Sequence, residues 1–253
     1  MSTRKGLQTL QGTGSWTSPL STDVIAIHAA MLSTGQVLMW YSDEPFNSST
    51  GSRAELWNPS TNALTQVQLP YTYDIFCAGS SFLQDGRLLV TGGRDDSKNG
   101  DYGIAEATLF NPSINQWSQA ASMNYARWYP TNVELQDGST LVFSGTDDSQ
   151  KLVLEVESYN YQTGAWTVLP ASANVAATTS IYPRMALLPS GKIFMGGMQA
   201  QSALFDPIAN TWSNVSMLNF GRARVRRHGS SARARTGVDG RWRPAYQPDG
   251  DRH

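Results

Sequence analysis

Four stretches of this 253-residue chain read alike, and their spacing decides what it can fold into. They are Leu32-Ser33-Thr34-Gly35-Gln36-Val37-Leu38-Met39, Leu83-Gln84-Asp85-Gly86-Arg87-Leu88-Leu89-Val90, Leu135-Gln136-Asp137-Gly138-Ser139-Thr140-Leu141-Val142 and Leu188-Pro189-Ser190-Gly191-Lys192-Ile193-Phe194-Met195. Successive glycines stand 51, 52 and 53 residues apart. Each stretch is a strand, a tight polar turn and a second strand. A repeat near fifty residues with that content is the mark of propeller blades.

Every repeat has a second half. Its turns are Asn58-Pro59-Ser60-Thr61-Asn62, Asn111-Pro112-Ser113-Ile114-Asn115, Asn160-Tyr161-Gln162-Thr163-Gly164 and Asp206-Pro207-Ile208-Ala209-Asn210. Asn and Asp begin turns by bonding their own backbone, and Pro presets φ. Trp117, Trp166 and Trp212 follow in three repeats, and Leu64 stands in the first. The unit is therefore four antiparallel strands, as in a kelch-type blade. The expected fold is all-β: four blades over residues 24–220, at about 24–69, 75–122, 127–170 and 180–217. Residues 1–23 form an N-terminal segment in which Ser15-Trp16-Thr17 resembles a last strand able to close a ring. Four blades leave open sheet edges, which invite a protein partner.

Composition adds bounds. Hydrophobic residues make up 40% and charged residues 15%, as in a folded chain. No apolar run of eighteen occurs, so no membrane-spanning helix is expected. The N-terminus lacks the apolar core of a signal peptide, so the chain as written is expected in the cytoplasm. One Cys excludes an internal disulfide framework. Residues 1–220 carry a net charge of −7 and residues 221–253 a net of +6, from nine Arg and three Asp. That tail is expected to be disordered. No specific nucleic-acid partner is expected. Asn219-Phe220-Gly221-Arg222-Ala223-Arg224 reads like the entrance to a fifth blade, as Asn124-Tyr125-Ala126-Arg127 precedes the third. Alternation then stops, and a frameshift or truncation near residue 225 is the expectation. Translating the downstream DNA in the other two frames tests it: if no blade-like text resumes, the tail is genuine.

The repeat is also a ruler. Nine residues before each hairpin glycine stand Ala26, Cys77, Tyr129 and Tyr182. Equivalent positions of inner strands ring a propeller's channel, so Cys77 and Tyr129 should be lateral neighbours near one mouth. From spacing alone, a buried structural Cys and a core Tyr remain open readings.

The surrounding words carry a resemblance. Asp74-Ile75-Phe76-Cys77-Ala78-Gly79 with Ala126-Arg127-Trp128-Tyr129-Pro130-Thr131-Asn132 resembles the galactose oxidase and glyoxal oxidase family of copper radical oxidases, closer to the glyoxal oxidase branch. Ile27-His28-Ala29-Ala30-Met31-Leu32 and Ile181-Tyr182-Pro183-Arg184 match as well. The resemblance covers residues 14–224. It implies a seven-bladed parent, mostly secreted, with a Cys–Tyr thioether at Cys77 and Tyr129 that shares a radical, and Tyr129 as a copper ligand. Such a parent oxidises an aldehyde or primary alcohol with O₂ and releases H₂O₂. The family's further Tyr-His and His ligands lie in later blades. His28 matches a recurrent family position that is not a ligand, and His228 and His253 lie in the tail. Copper(II) favours several nitrogen and oxygen donors, so the chain alone is expected to be inactive and not to hold copper stably.

Three further expectations concern neighbours. Arg127 and Tyr182 are candidates to contact substrate; for Arg127 a salt bridge between blades is the plainer role. In the galactose oxidase branch a Trp covers the thioether from a position that here reads Gly145-Thr146-Asp147-Asp148. Trp128 is expected to point away, because neighbours on a strand alternate faces. Loop acids Asp95-Asp96 and Asp147-Asp148 are expected to be solvated. A non-enzymatic kelch-type binding module is the alternative function, and it has no need of a Cys77–Tyr129 pair.

Overall fold

A computed structural model describes residues 17–42, 52–95, 97–98, 102–196 and 201–217. Ser15 and Trp16 of the expected closing strand, Asp96 and the basic tail with His228 and His253 lie outside them.

The described residues form four four-stranded antiparallel sheets, each a meander in chain order. The first holds β1 (His28–Met31), β2 (Val37–Ser42), β3 (Ser52–Asn58) and β4 (Ala63–Gln66). The second holds β5 (Gly79–Phe82), β6 (Leu88–Thr91), β7 (Ala107–Asn111) and β8 (Gln116–Gln119). The third holds β9 (Thr131–Glu134), β10 (Thr140–Phe143), β11 (Glu157–Asn160) and β12 (Ala165–Val168). The fourth holds β13 (Arg184–Leu187), β14 (Ile193–Gly196), β15 (Gln201–Asp206) and β16 (Thr211–Met217). One short 3₁₀ turn, Ala171–Ala173, precedes the fourth sheet. Among the described residues no helix is long and apolar enough to cross a membrane. The fold is a partial propeller of four blades.

The repeated words explain the hairpins. In the first, Leu32 N–H donates to the Gln36 carbonyl at 2.8 Å and Gly35 N–H to the Leu32 carbonyl at 2.9 Å, and the other three repeats close the same way. The four turn glycines have φ of 79–84°, the left-handed residue that such a short hairpin demands. The outer turns start with Asx bonds: the Asn58, Asn111, Asn160 and Asp206 side chains each accept a backbone N–H two residues on.

The sheets pack face to face through alternating apolar residues. Leu38, Trp40 and Leu56 of the first sheet meet Leu88, Val90 and Phe110 of the second. Leu89 and Leu109 meet Tyr159 of the third. Val133, Leu141 and Phe143 meet Ile193 and Phe205 of the fourth. The recurring Trp has a polar task too. The indole N–H groups of Trp117, Trp166 and Trp212 donate to the carbonyls of Val67, Ala121 and Ala173, in the segments that lead from one blade to the next. A flat ring fills the interface while its N–H satisfies connecting backbone, which is why the position keeps recurring.

Candidate functional site

Cys77, Tyr129 and Tyr182 stand just ahead of β5, β9 and β13, not within them, which corrects the expectation that the inner strands carry them. All three are left-handed, with φ of 60°, 62° and 47°. Such a conformation costs a non-glycine residue about 1–2 kcal/mol and persists only where surroundings hold it. Here a lateral ladder does so. Tyr129 N–H donates to the Cys77 carbonyl at 3.0 Å, and Tyr182 N–H to the Tyr129 carbonyl at 2.8 Å. Cys77 N–H donates to Nε2 of His28 at 3.0 Å. One hydrogen-bonded chain thus crosses all four blades, with the His28 imidazole serving in the first. The ruler aligned these three residues as neighbours; the backbone that carries them was not legible, because nothing in a Cys or Tyr announces a positive φ.

The Cys77 side chain is buried, 4% exposed. The Tyr129 ring has two perpendicular aromatic neighbours: Trp128, with centroids 4.0 Å apart, and Tyr182, at 4.4 Å. The expectation for Trp128 is therefore corrected. Alternation of faces applies along an extended strand, and the left-handed turn at Tyr129 breaks it. Trp128 is anchored by reciprocal backbone bonds with Thr146, each 2.8 Å. Its contact with the tyrosine is edge-on, unlike a stacked cover. The Tyr182 hydroxyl donates to the Ala78 carbonyl at 3.1 Å, and burial pushes that phenol well above its usual ionisation range.

Arg127 is 0% exposed, and its guanidinium is committed: Nε and Nη2 reach Glu157 Oε2 at 3.2 and 2.9 Å, Nη1 the Ser144 carbonyl at 2.8 Å, and Nη2 the Glu155 carbonyl at 2.9 Å. This corrects two readings: Arg127 has no donor face open to a substrate, and its ion pair lies within the third blade rather than between blades. Glu157 also accepts the backbone and side-chain N–H groups of Asn124. In the second blade Asp74, fully buried, accepts from Ser52 of the first blade and pairs with Arg94 at 3.5 Å. Buried charges tie down both segments that deliver Cys77 and Tyr129. The loop acid Asp147 is spent locally, accepting the Ser149 and Lys151 N–H groups at 2.8 Å.

His28 stacks on Trp40 with centroids 5.1 Å apart and meets the edge of Phe76. Its Nε2 accepts a hydrogen bond, so the neutral ring carries its proton on Nδ1. Burial pulls its pKa from 6.5 to about 4, against a smaller opposing pull from Asp74. Below pH 6.5 the unfolded chain binds a proton that the folded imidazole refuses until about pH 4. Stability from this site is therefore full above pH 6.5 and is lost as pH falls towards 4, by about 1–3 kcal/mol. Urea denaturation at stepped pH should show that loss in the wild type and not in the H28Q variant, whose amide oxygen can still accept from Cys77. Equal slopes in the two proteins would remove His28 as the cause.

The donors gathered here do not make a copper site by themselves. The one imidazole nitrogen facing this chain of residues is occupied by a backbone N–H. Among the described residues, no three His, Cys, Asp or Glu side chains gather as a metal ion would need. Two phenols and a thiol are what the described residues bring together here, short of the nitrogen donors that copper(II) prefers.

Comparisons with known proteins give this geometry a context. The chain is similar to a galactose oxidase of Gibberella zeae, 29% identical over 165 residues, which is 63% of this chain and 23% of that protein. It is similar to the aldehyde oxidase GLOX of Vitis pseudoreticulata, 27% identical over 173 residues, 65% of this chain and 31% of that one. It thus spans between a fifth and a third of these relatives' length. Its fold matches a solved fungal alcohol oxidase in complex with copper, with a TM-score of 0.65 over 81% of this chain and 44% of that one, at 19% identity. The model of the glyoxal oxidase N-terminus matches residues 28–231, a span that holds all four blades, from His28 through Cys77, Tyr129 and Tyr182 to the last strand. On that match the chain belongs to the glyoxal oxidase N-terminus family.

Proposed function

We propose that this chain carries the Cys–Tyr half of a copper radical oxidase site, whose complete form oxidises an aldehyde or a primary alcohol with O₂ and releases H₂O₂. The observation that supports it most is the 3.0 Å bond from Tyr129 N–H to the Cys77 carbonyl, which sets the two residues side by side across a blade boundary. Both stand left-handed, a form of backbone strain that gathers at functional sites. A module that only binds proteins through its loops has no use for such a pair.

In this reading Cys77 and Tyr129 become joined by a bond from sulfur to the phenol ring, and the thioether eases one-electron oxidation of the phenol. Trp128 and Tyr182 hold that half-buried ring edge-on. The remaining metal donors come from outside these four blades, so the 253-residue chain is inactive alone.

Two measurements test this. Intact mass after exposure to copper(II) and air should fall by the mass of two hydrogen atoms, and C77S should abolish the fall. No loss in the wild type would refute the paired site. Peroxide release from methylglyoxal, glycolaldehyde or galactose should stay at background after copper loading. Robust turnover would show that these blades hold more of the metal site than two phenols and a thiol.

A further inference from the structure

We infer that Tyr182 is the positioning residue of the Cys77–Tyr129 pair: a strap from the fourth blade that fastens both partners at once. Three contacts carry this. Tyr182 N–H donates to the Tyr129 carbonyl at 2.8 Å. The Tyr182 ring stands perpendicular to the Tyr129 ring with centroids 4.4 Å apart. The Tyr182 hydroxyl reaches past the third blade to the carbonyl of Ala78, the residue after Cys77, at 3.1 Å. One side chain therefore spans from blade four to blade two and brackets the tyrosine between them.

The hydroxyl can donate one hydrogen bond, and it donates that bond to the Ala78 carbonyl. That commitment replaces the role of substrate contact that the sequence suggested for Tyr182. Positioning matters because a carbon–sulfur bond forms only when the sulfur is held against one ring carbon. The left-handed turns at Cys77 and Tyr129 would relax if released. The strap also ties the reactive pair to the fourth blade, so its geometry depends on the blade interface being closed.

The inference rests on the oxidase reading above for its chemistry. Cross-linking replaces the Cys77 S–H and one Tyr129 ring C–H with a C–S bond. Two protons and two electrons leave, and O₂ accepts them to give H₂O₂. The test compares Y182F, which keeps the ring and loses the hydroxyl, with Y73F as a control. Tyr73 shares a 2.7 Å hydrogen bond with Thr108 elsewhere in the second blade. The full chain is incubated with copper(II) in air and the loss of two hydrogen masses is timed. Removing one such bond is expected to slow Y182F about fivefold, with the small drop in melting temperature that one lost bond brings in both Y182F and Y73F, and with Y73F at the wild-type rate. Wild-type kinetics in Y182F, or equal slowing in Y73F, overturns the inference.

Hydrogen exchange of the Tyr129 amide separates this inference from the reading it rests on. If the wild type never loses mass, the oxidase reading fails and exchange decides the strap. About fivefold faster exchange in Y182F but not Y73F upholds it, and unchanged exchange overturns it.

Discussion

Replacing Arg127 with methionine should cost about 3–5 kcal/mol, a large part of what holds a domain of this size together. Arg127 and Glu157 are both 0% exposed and lie 2.9 Å apart. Burial pulls the Arg127 pKa down, and Glu157 opposes it. A buried ion pair adds little net stability over apolar residues of the same size, but removing one partner strands the other's charge away from water. In R127M the Glu157 carboxylate would keep only its bonds from Asn124, and the Ser144 and Glu155 carbonyls would lose their donor. The double variant R127M/E157Q removes both charges and keeps an acceptor for Asn124. It should recover more than half of the loss. Urea denaturation followed by tryptophan fluorescence reads both. A single variant as stable as the wild type, or a double variant weaker than the single, would contradict this account. The same loss should reach the site, because Arg127 is two residues from Tyr129.

The second large effect is expected at Gly93. Its φ is 143°, a conformation open to glycine and little else. A Cβ there would overlap the Asp74 carbonyl oxygen and come within 2.9 Å of Ile75 Cα, both backbone atoms. Neither can swing aside. The segment is pinned by Gly93 N–H to the Arg127 carbonyl at 3.0 Å and Arg94 N–H to the Asp74 carbonyl at 2.9 Å. G93A combines a forbidden φ with a backbone clash and should cost about 3 kcal/mol or more. G35A is the control: its φ is 81° and nothing lies within 4 Å of the new methyl, so only the conformational term of about 1–2 kcal/mol applies. Thermal unfolding of both variants checks the difference, and equal losses would rule out the clash as the cause. Gly93 lies where the segments leading to Cys77 and Tyr129 touch, so G93A should also slow the cross-linking proposed for that pair.

Much of this protein was legible as pattern. The glycine ruler located four hairpins because each short turn demands one left-handed residue at a fixed offset, and glycine supplies it. The Asx-led outer turns were legible for the same local reason. The ruler also aligned Cys77, Tyr129 and Tyr182, since equivalent positions of equivalent blades must be neighbours. What it missed had no local signature. Arg127 and Glu157 are 30 residues apart, and their pairing is set by where the third blade's strands come to lie. Trp128 was read through strand alternation, a rule that fails at a left-handed residue.

The order of strands, the four blades described and the alignment of Cys77 with Tyr129 were written in the chain, because they follow from spacing and from backbone rules that act over a few residues. The left-handed ladder from His28 to Tyr182, the edge-on aromatic contacts of Tyr129 and the buried charges behind it were decided only when the blades packed. A hydrogen bond or a desolvated charge is worth its energy only at a distance of a few ångströms, and that distance exists only in the assembled fold.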